Sequence, residues 1–328
     1  MFKELQEVAK LIQQVEQCLP DCQDLVRTEV LTTIDYQNES FPIHAFVIGT
    51  QDKSAPSLGL FAGVHGLERV GTHVLLGFLK SFFTQCQWDV SLRESLKNFR
   101  IVSIPIINPV GMKLLRRSNG NGVDLMRNSP VEADEGPWYK MYRGHRYGPK
   151  YPWYRGVPGQ LEAENYAVAE FVKREMFSSK ISMGLDFHSG FGLRDRLWFP
   201  YAKSAEPFMF RHIVDRAVDL YETTHPHHIY KIEQQSDSYT THGDLWDYLF
   251  FESRKSHPEN IFIPWTLEMG SWSWLKKNPI QLFSKQGFFN PVVEHRFQRT
   301  MRRHYILIEF ITRLMQNTDA WVSNKEEA

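Results

Sequence analysis

The chain has 328 residues, of which 42% are hydrophobic, and its 38 lysine and arginine residues balance 38 aspartate and glutamate residues. This length supplies enough apolar side chains to bury a substantial core. The neutral balance argues against a protein that binds nucleic acid through the phosphate backbone, because such a protein needs a net basic surface.

Cysteine usage and the terminal sequence bear on the cellular compartment. Cys18, Cys22 and Cys86 are an odd set without the paired spacing of a zinc finger, which favours a reducing compartment. The first residues are charged and lack the apolar core segment of a signal peptide. No segment approaches the roughly 20 apolar residues that span a bilayer. We therefore expect a cytoplasmic protein without a membrane partner.

Strands and helices are predicted to alternate along most of the chain. An amphipathic helix over residues 3–18 is followed by two strands, 28–36 and 42–49, with the pattern of a hairpin. Strands that alternate with helices indicate an α/β fold with a mainly parallel sheet covered on both faces. The remaining predicted elements are strands at 58–64, 99–107, 181–187 and 261–268 and helices at 69–83, 161–176, 206–221, 243–251 and 291–315.

Residues 108–159 break this alternation. The segment is rich in Asn, Gly, Pro, Trp and Tyr and has no helical or strand periodicity, which is typical of a functional loop region. No internal repeat or linker divides the sequence. We therefore expect a single domain over residues 1–328, with residues 1–50 as a peripheral extension.

Two predicted strands end in side chains that bind metals. Leu58–Val64 is followed by His65 and, three residues later, by Glu68, and Ile181–Phe187 is followed by His188. Ligands gather beyond the carboxyl ends of parallel strands, so these three side chains are expected to meet. Two histidines and a glutamate are the ligands of a catalytic zinc ion that keeps an open position for water. The sequence therefore predicts a site for one Zn²⁺ ion.

A third strand end supplies a candidate general base. Glu268 follows an apolar run and is flanked by Trp265 and Met269, an environment that adjusts the pKa of a carboxylate for proton transfer. The alternative is a buried structural glutamate paired with an arginine. Asp124 is a candidate to orient His65 through its other ring nitrogen.

Arginines in the loop after Asn108, itself at a strand end, are candidates to bind developing or fixed negative charge. Arg116 and Arg117 are candidates to stabilise an oxyanion. The guanidinium group of Arg127 matches a substrate carboxylate. The alternative for Arg116 and Arg117 is that they are surface charges.

These residues occur in motifs that resemble, in order, those of zinc carboxypeptidases of the carboxypeptidase A type, in particular a bacterial branch. His65-Gly-Leu-Glu68 resembles the segment of the first two ligands, and Asp186-Phe-His188-Ser189 that of the third. Gly122–Asn128 resembles the motif Gly-Val-Asp-Leu-Asn-Arg-Asn, and Thr266-Leu-Glu268 the strand of the catalytic glutamate. The remaining matches are Asn108–Gly111, Leu115–Arg117 and Glu162–Glu164.

The resemblance implies a mixed, mostly parallel twisted sheet of about eight strands with helices on both faces. It also implies a tyrosine that contacts substrate from a loop before the glutamate. Alignment indicates Tyr239 for this role, with Tyr248 as the rival, and the matched motifs place Asn108 and Ser189 among the substrate-binding residues. Met126 departs from the family pattern, which has asparagine there, so half of the carboxylate clamp is missing.

The first hypothesis is a zinc metallocarboxypeptidase that hydrolyses an amide bond near a substrate carboxylate, with zinc-activated water and Glu268 as general base. The alternatives are an N-acyl amino acid deacylase similar to aspartoacylase and succinylglutamate desuccinylase, or a non-catalytic binding protein on the same fold. The long separation between Glu68 and His188 resembles carboxypeptidases more than deacylases. Retention of the ligands and Glu268 argues against a non-catalytic protein. The expected substrate is therefore a peptide or an N-acyl amino acid.

Overall fold

A computed structural model describes residues 1–18, 25–134, 140–284 and 286–322. These residues form one eight-stranded sheet with helices on both faces, which confirms the predicted α/β architecture. The strands are β1 (Val26–Tyr36), β2 (Glu39–Gly49), β3 (Ser57–Ala62), β4 (Arg100–Ile104), β5 (Ile181–Ser189), β6 (Arg196–Phe199), β7 (Lys231–Gln234) and β8 (Ile261–Met269).

The sheet is mixed, with a parallel centre. Its strand order is β1-β2-β4-β3-β5-β8-β6-β7. The four strands β4, β3, β5 and β8 run parallel, whereas β2 and β6 are antiparallel to the central strands that they flank. Every residue of β3 and β5 is buried. Such continuous burial is expected of strands with helices on both faces.

The helices form a layer on each side of the sheet. On one side α2 packs against α1, α9, β3 and β5, and on the other α5 and α7 pack against each other and against the strands. No helix in the described ranges is long and apolar enough to cross a membrane. The helices are α1 (Lys3–Cys18), α2 (Arg69–Trp88), α3 (Val90–Ser95), α4 (Pro109–Leu114), α5 (Ala163–Met176), α6 (Arg211–Thr224), α7 (Leu245–Ser256), α8 (Trp272–Lys277) and α9 (Glu294–Gln316).

Most predicted elements are present, and the differences have local causes. The hairpin of β1 and β2 is confirmed. The predicted strand 99–107 ends at Ile104, because Pro105 lacks the N–H that a strand ladder needs. The predicted helix 206–221 instead spans Arg211–Thr224, and Pro207 disfavours helical geometry at Glu206. The elements not predicted from the sequence are the four-residue strands β6 and β7 and the six-residue helices α3, α4 and α8. Of these, α4 lies within residues 108–159, where no helix was expected.

Two loops beyond the sheet edge are locked together near the candidate ligands. The side chain of Asn108 donates to the Val64 carbonyl at 3.1 Å and accepts from the Gly111 N–H at 2.8 Å, which caps α4. Gly66, inside the predicted ligand motif, lies against this turn. A Cβ atom there would sit 1.9 Å from the Gly111 carbonyl carbon. The motif therefore needs glycine between its two ligands for the loops to approach.

Candidate functional site

The three predicted metal ligands converge at the carboxyl ends of β3 and β5. His65 lies in the loop after β3, Glu68 is the residue before α2, and His188 is the penultimate residue of β5. All three are buried, and one ligand atom from each lies within 4.8 Å of the others. The Nδ1 atoms of both histidines face the Glu68 carboxylate, at 2.9 Å for His65 and 3.4 Å for His188.

Carboxylates on the far side of each imidazole orient the two rings. Nε2 of His65 lies 3.1 Å from Asp124 Oδ1, and Nε2 of His188 lies 2.7 Å from Asp186 Oδ2. Asp186 is itself held by the indole N–H of Trp246 at 2.8 Å. A carboxylate partner places the ring proton on Nε2 and leaves the Nδ1 lone pair for a metal. The donor set therefore fits a divalent ion such as zinc.

The charges of this cluster favour a bound cation. Burial opposes ionisation of Glu68, but the adjacent His65 and His188 hold its pKa well below the usual range. Burial also opposes a charged His188, but Asp186 and Glu68 hold the pKa of this imidazole well above its usual value. Three carboxylates around two imidazoles thus attract positive charge, which a metal ion supplies.

Glu268 lies one strand away from the ligands. It pairs with His188 in the register of β5 and β8, and its Oε1 atom accepts the Phe191 N–H at 2.9 Å. Burial, followed by the negative charge of Glu68, raises the pKa of Glu268 to about 8. A carboxyl group with a raised pKa is suited to accept and return a proton near neutral pH.

The two adjacent arginines, Arg116 and Arg117, lie in different environments. The Arg117 Nε atom donates to Asp124 Oδ2 at 2.8 Å, and its Nη1 atom donates to Glu68 Oε1 at 3.2 Å. Arg116 is exposed and does not line the site. Of the pair, Arg117 is therefore the one positioned to act on a molecule in the site.

A cavity of about 650 Å³ opens over the cluster. Arg127 and Tyr239, both predicted to bind substrate, line it together with Met126. The ring of Tyr239 contacts those of neighbouring aromatic residues, whereas the rival Tyr248 is not part of the wall. Further aromatic lining comes from Tyr142, Trp153, Phe191, Trp198, Trp272, Phe288 and Phe289.

The two remaining predicted substrate contacts have structural partners. Ser189 lines the cavity, but its hydroxyl donates to the Phe289 carbonyl at 2.8 Å while its N–H donates to Glu68 at 2.8 Å. Asn108 is fully buried in the cap of α4 and does not line the cavity. Neither side chain is presented to a substrate in this conformation.

Two acidic residues of the site, Asp186 and Asp244, had no role predicted from the sequence. The position of Asp186 could have indicated that it orients His188. It precedes His188 by two residues in β5, and residues two apart on a strand share a face. Asp244 lines the cavity, while its Oδ1 atom caps α7 by accepting the N–H groups of Trp246 and Asp247. Sequence alone identifies Asp244 as a helix cap but not as part of a cavity wall.

Known structures share this fold. Bovine thrombin-activatable fibrinolysis inhibitor, solved in complex with tick carboxypeptidase inhibitor, is similar with a TM-score of 0.68 and 18% identity over 97% of this chain and 98% of its own. Carboxypeptidase A from Helicoverpa armigera has a TM-score of 0.57 and 17% identity over 91% and 73% of the two chains. A metallo-carboxypeptidase from Burkholderia cenocepacia has a TM-score of 0.51 and 14% identity over 80% and 59%.

Sequence comparison identifies the family directly. No curated protein sequence matches the chain significantly. The sequence profile of the zinc carboxypeptidases, however, matches residues 21–288, which is most of the chain. The buried His-Glu-His cluster lies within the matched range. This chain therefore belongs to the zinc carboxypeptidase family and is a zinc metallopeptidase.

Proposed function

We propose that the protein is a metallocarboxypeptidase that hydrolyses an amide bond near a substrate carboxylate. One zinc ion would be held by His65, Glu68 and His188, with Glu268 as general base. The observation that carries this proposal is the convergence of two Nδ1 atoms and a carboxylate within 4.8 Å, beside the strand of Glu268 and under an open cavity.

The proposed chemistry divides between the metal and the side chains. Zinc, when bound, supplies Lewis acidity that activates water and polarises a carbonyl group. Glu268 takes a proton from the attacking water and returns it to the leaving nitrogen as the C–N bond breaks. Its burial and the Phe191 N–H at 2.9 Å hold the carboxylate in place for both transfers.

Arg117 is the proposed oxyanion ligand in preference to Arg116. Its contacts with Asp124 and Glu68 use the Nε and Nη1 atoms and fix the plane of the guanidinium group. Nη2 has no hydrogen-bond partner in the described part of the chain and can donate to a substrate oxygen. A fixed donor of this kind stabilises charge that develops in the transition state.

Arg127 and Tyr239 are the proposed contacts for the carboxylate end of the substrate. Arg127 is buried, and its Nη1 atom donates to the Met126 carbonyl at 3.1 Å, which orients the group in the cavity wall. Met126 cannot donate the hydrogen bond that asparagine gives in the family motif. Arg127 can still pair with a carboxylate. N-acyl amino acids carry a free carboxylate next to the amide bond, as peptides do, and are the second proposed substrate class.

We further propose that the whole chain acts as one catalytic domain in the cytoplasm. The pairing of β2 with β4 supports the first point, because it joins the N-terminal strands to the sheet that carries the site. The odd cysteine set of the sequence supports the second.

Metal removal and substrate screening test the proposed function together. The purified protein should contain one zinc ion per chain by elemental analysis. It should release an amino acid from blocked dipeptides or from N-acyl amino acids. A chelator should abolish this release and added zinc should restore it. Absence of hydrolysis in both panels, or hydrolysis that survives complete metal removal, would reject the proposal.

A further inference from the structure

A second large cavity lies outside the candidate active site. It encloses about 670 Å³ between the loop that precedes β7 and the middle of α9. None of its lining residues also lines the cavity over Glu268. We call it the basic groove, because its wall includes Arg299, Arg302, Arg303, His225, His227 and His228.

The arginines of the basic groove share one face of α9, since their positions follow helical spacing. Arg299 and Arg302 are exposed, and no carboxylate in the described ranges lies within ion-pair distance of either. Arg303 is anchored, with its Nη1 atom 3.0 Å from Asp195 Oδ2. Like charges at this spacing repel one another. An anion in the groove would relieve that repulsion.

The loop side of the groove is well ordered by its own hydrogen bonds. The Tyr230 N–H donates to His228 Nδ1 at 3.2 Å, and the His228 N–H donates to the His225 carbonyl at 2.9 Å. The buried Tyr230 hydroxyl is paired with His304 Nδ1 at 2.8 Å. Among the described residues, the carboxylate within ion-pair distance of these histidines is that of exposed Glu222, 3.8 Å from His228 Nε2. The groove is therefore preformed and its charge is mostly uncompensated.

Strand register places the groove on the same edge of the sheet as the catalytic residues. Arg196 of β6 pairs with Glu268 on one side and with Lys231, the first residue of β7, on the other. Two strand spacings amount to about 10 Å. Asp195, which anchors Arg303, also accepts the N–H of Gly270 at 2.9 Å. A ligand in the groove would thus lie beside the active site without entering it.

We propose that the basic groove binds a small molecule with two or more adjacent phosphate groups, held by Arg299 and Arg302. The planar fork of arginine matches phosphate oxygens in bidentate geometry. The volume exceeds that of a single phosphate, and the partly exposed Ile229 and Ile306 offer apolar contact to an organic portion. A nucleoside triphosphate and an inorganic polyphosphate share this recognition chemistry.

Calorimetric titration of the full-length zinc protein at constant ionic strength tests the proposal. The probes are sodium tripolyphosphate and ATP, with sodium sulfate as the salt control. Saturable binding of at least one phosphate probe is expected. The double variant Arg299→Gln/Arg302→Gln should weaken it by about tenfold or more, because each arginine contributes charge-assisted hydrogen bonds. Both side chains are exposed, so thermal unfolding should match that of the parent.

Arg313→Gln is the matched control, since Arg313 is exposed on α9 but outside the groove. It should leave affinity unchanged, and any removal of zinc by the probes would affect both variants equally. Equal affinity for the two probes supports recognition of the phosphate chain, and tighter ATP binding supports a nucleotide. The proposal is overturned by no saturable binding at millimolar probe, by equal affinity in the double and control variants, or by tighter groove-dependent binding of an RNA oligonucleotide. None of these readouts depends on hydrolytic activity.

Discussion

Glu268 lies directly opposite His188 across the parallel pair of β5 and β8. Neighbouring strands are about 4.8 Å apart, so backbone pairing sets the separation between the proposed base and a proposed metal ligand. Two further proposed ligands, His65 and Glu68, follow β3 on the other side of β5. The order of the strands therefore fixes where the site forms, and the loops that follow them supply His65, Glu68, Asp124, the arginines and Tyr239.

The proposed role of Glu268 predicts a separation between metal binding and turnover. Glu268→Gln should keep bound zinc, because the side chain is outside the ligand set. It should lower kcat by about 10²- to 10⁴-fold, the range over which a general base contributes. Elemental analysis and steady-state kinetics on the best substrate measure the two quantities. Unchanged kcat in the zinc-loaded variant would remove Glu268 from the mechanism.

The convergence of His65, Glu68 and His188, the proposed ligands, could be predicted from the sequence because it depends on the direction of the strands. Each ligand lies close to the end of an apolar run, and the carboxyl ends of parallel strands meet at one edge. Adjacent loop residues carry no such information, so sequence left Arg116 and Arg117 equivalent, and only the folded loop distinguishes them. The short strands β6 and β7 were missed because four residues with charged members give no clear period.

The carboxylates behind the two histidines should tune zinc affinity. Asp124→Asn keeps the size of the side chain but weakens the acceptor for His65 Nε2, which lies 3.1 Å away. Loss of such an orienting partner typically lowers metal affinity by about 10- to 100-fold. Competition with a chromophoric zinc chelator measures the change.

Asp186→Asn provides the parallel measurement on His188. The change weakens the acceptor for His188 Nε2, which lies 2.7 Å from Asp186 Oδ2, so this variant should also bind zinc less tightly. Trp246 donates to the same carboxylate oxygen. Glu162→Gln, at the N-terminus of α5 and outside the cavity wall, is the control and should bind zinc normally. Full zinc affinity in both aspartate variants would contradict the orienting role.

The binding of a free substrate carboxylate should depend on Arg127 and Met126. Arg127→Ala should raise KM for substrates with a free carboxylate by more than it does for the amidated analogues, because an arginine–carboxylate pair is lost. Met126→Asn restores a hydrogen-bond donor to the cavity wall and should lower KM for the free acids. The kinetics of matched acid and amide substrates measure both effects. Equal changes on acid and amide would contradict the carboxylate clamp.

Attachment of α1 to α2 should depend on pH through Glu4. Burial opposes ionisation of this carboxyl group, but hydrogen bonds from His73 and Arg69 outweigh it and lower the pKa of Glu4 to about 2. Because the folded-state pKa is below the unfolded one, the stabilisation is present above about pH 4.5 and is lost as the pH falls toward 2. The free energy of unfolding of Glu4→Gln should therefore be lower than that of the parent at pH 6, with the difference shrinking by pH 3. A difference independent of pH would contradict this.

A buried ion pair between β4 and α5 should contribute far more to the free energy of unfolding than an ion pair at the surface does. Arg100 of β4 and Glu175 of α5 are both almost fully buried, with Arg100 Nη2 2.5 Å from Glu175 Oε2. Removing one partner of such a pair leaves an uncompensated buried charge and costs about 3–5 kcal/mol. Glu175→Gln should lower the free energy of unfolding in urea by this amount. Glu170→Gln, which breaks an exposed pair with Lys173 on the same helix, should change it by about 1 kcal/mol or less. Similar losses in the two variants would show that Arg100 finds another partner or water when Glu175 is neutral.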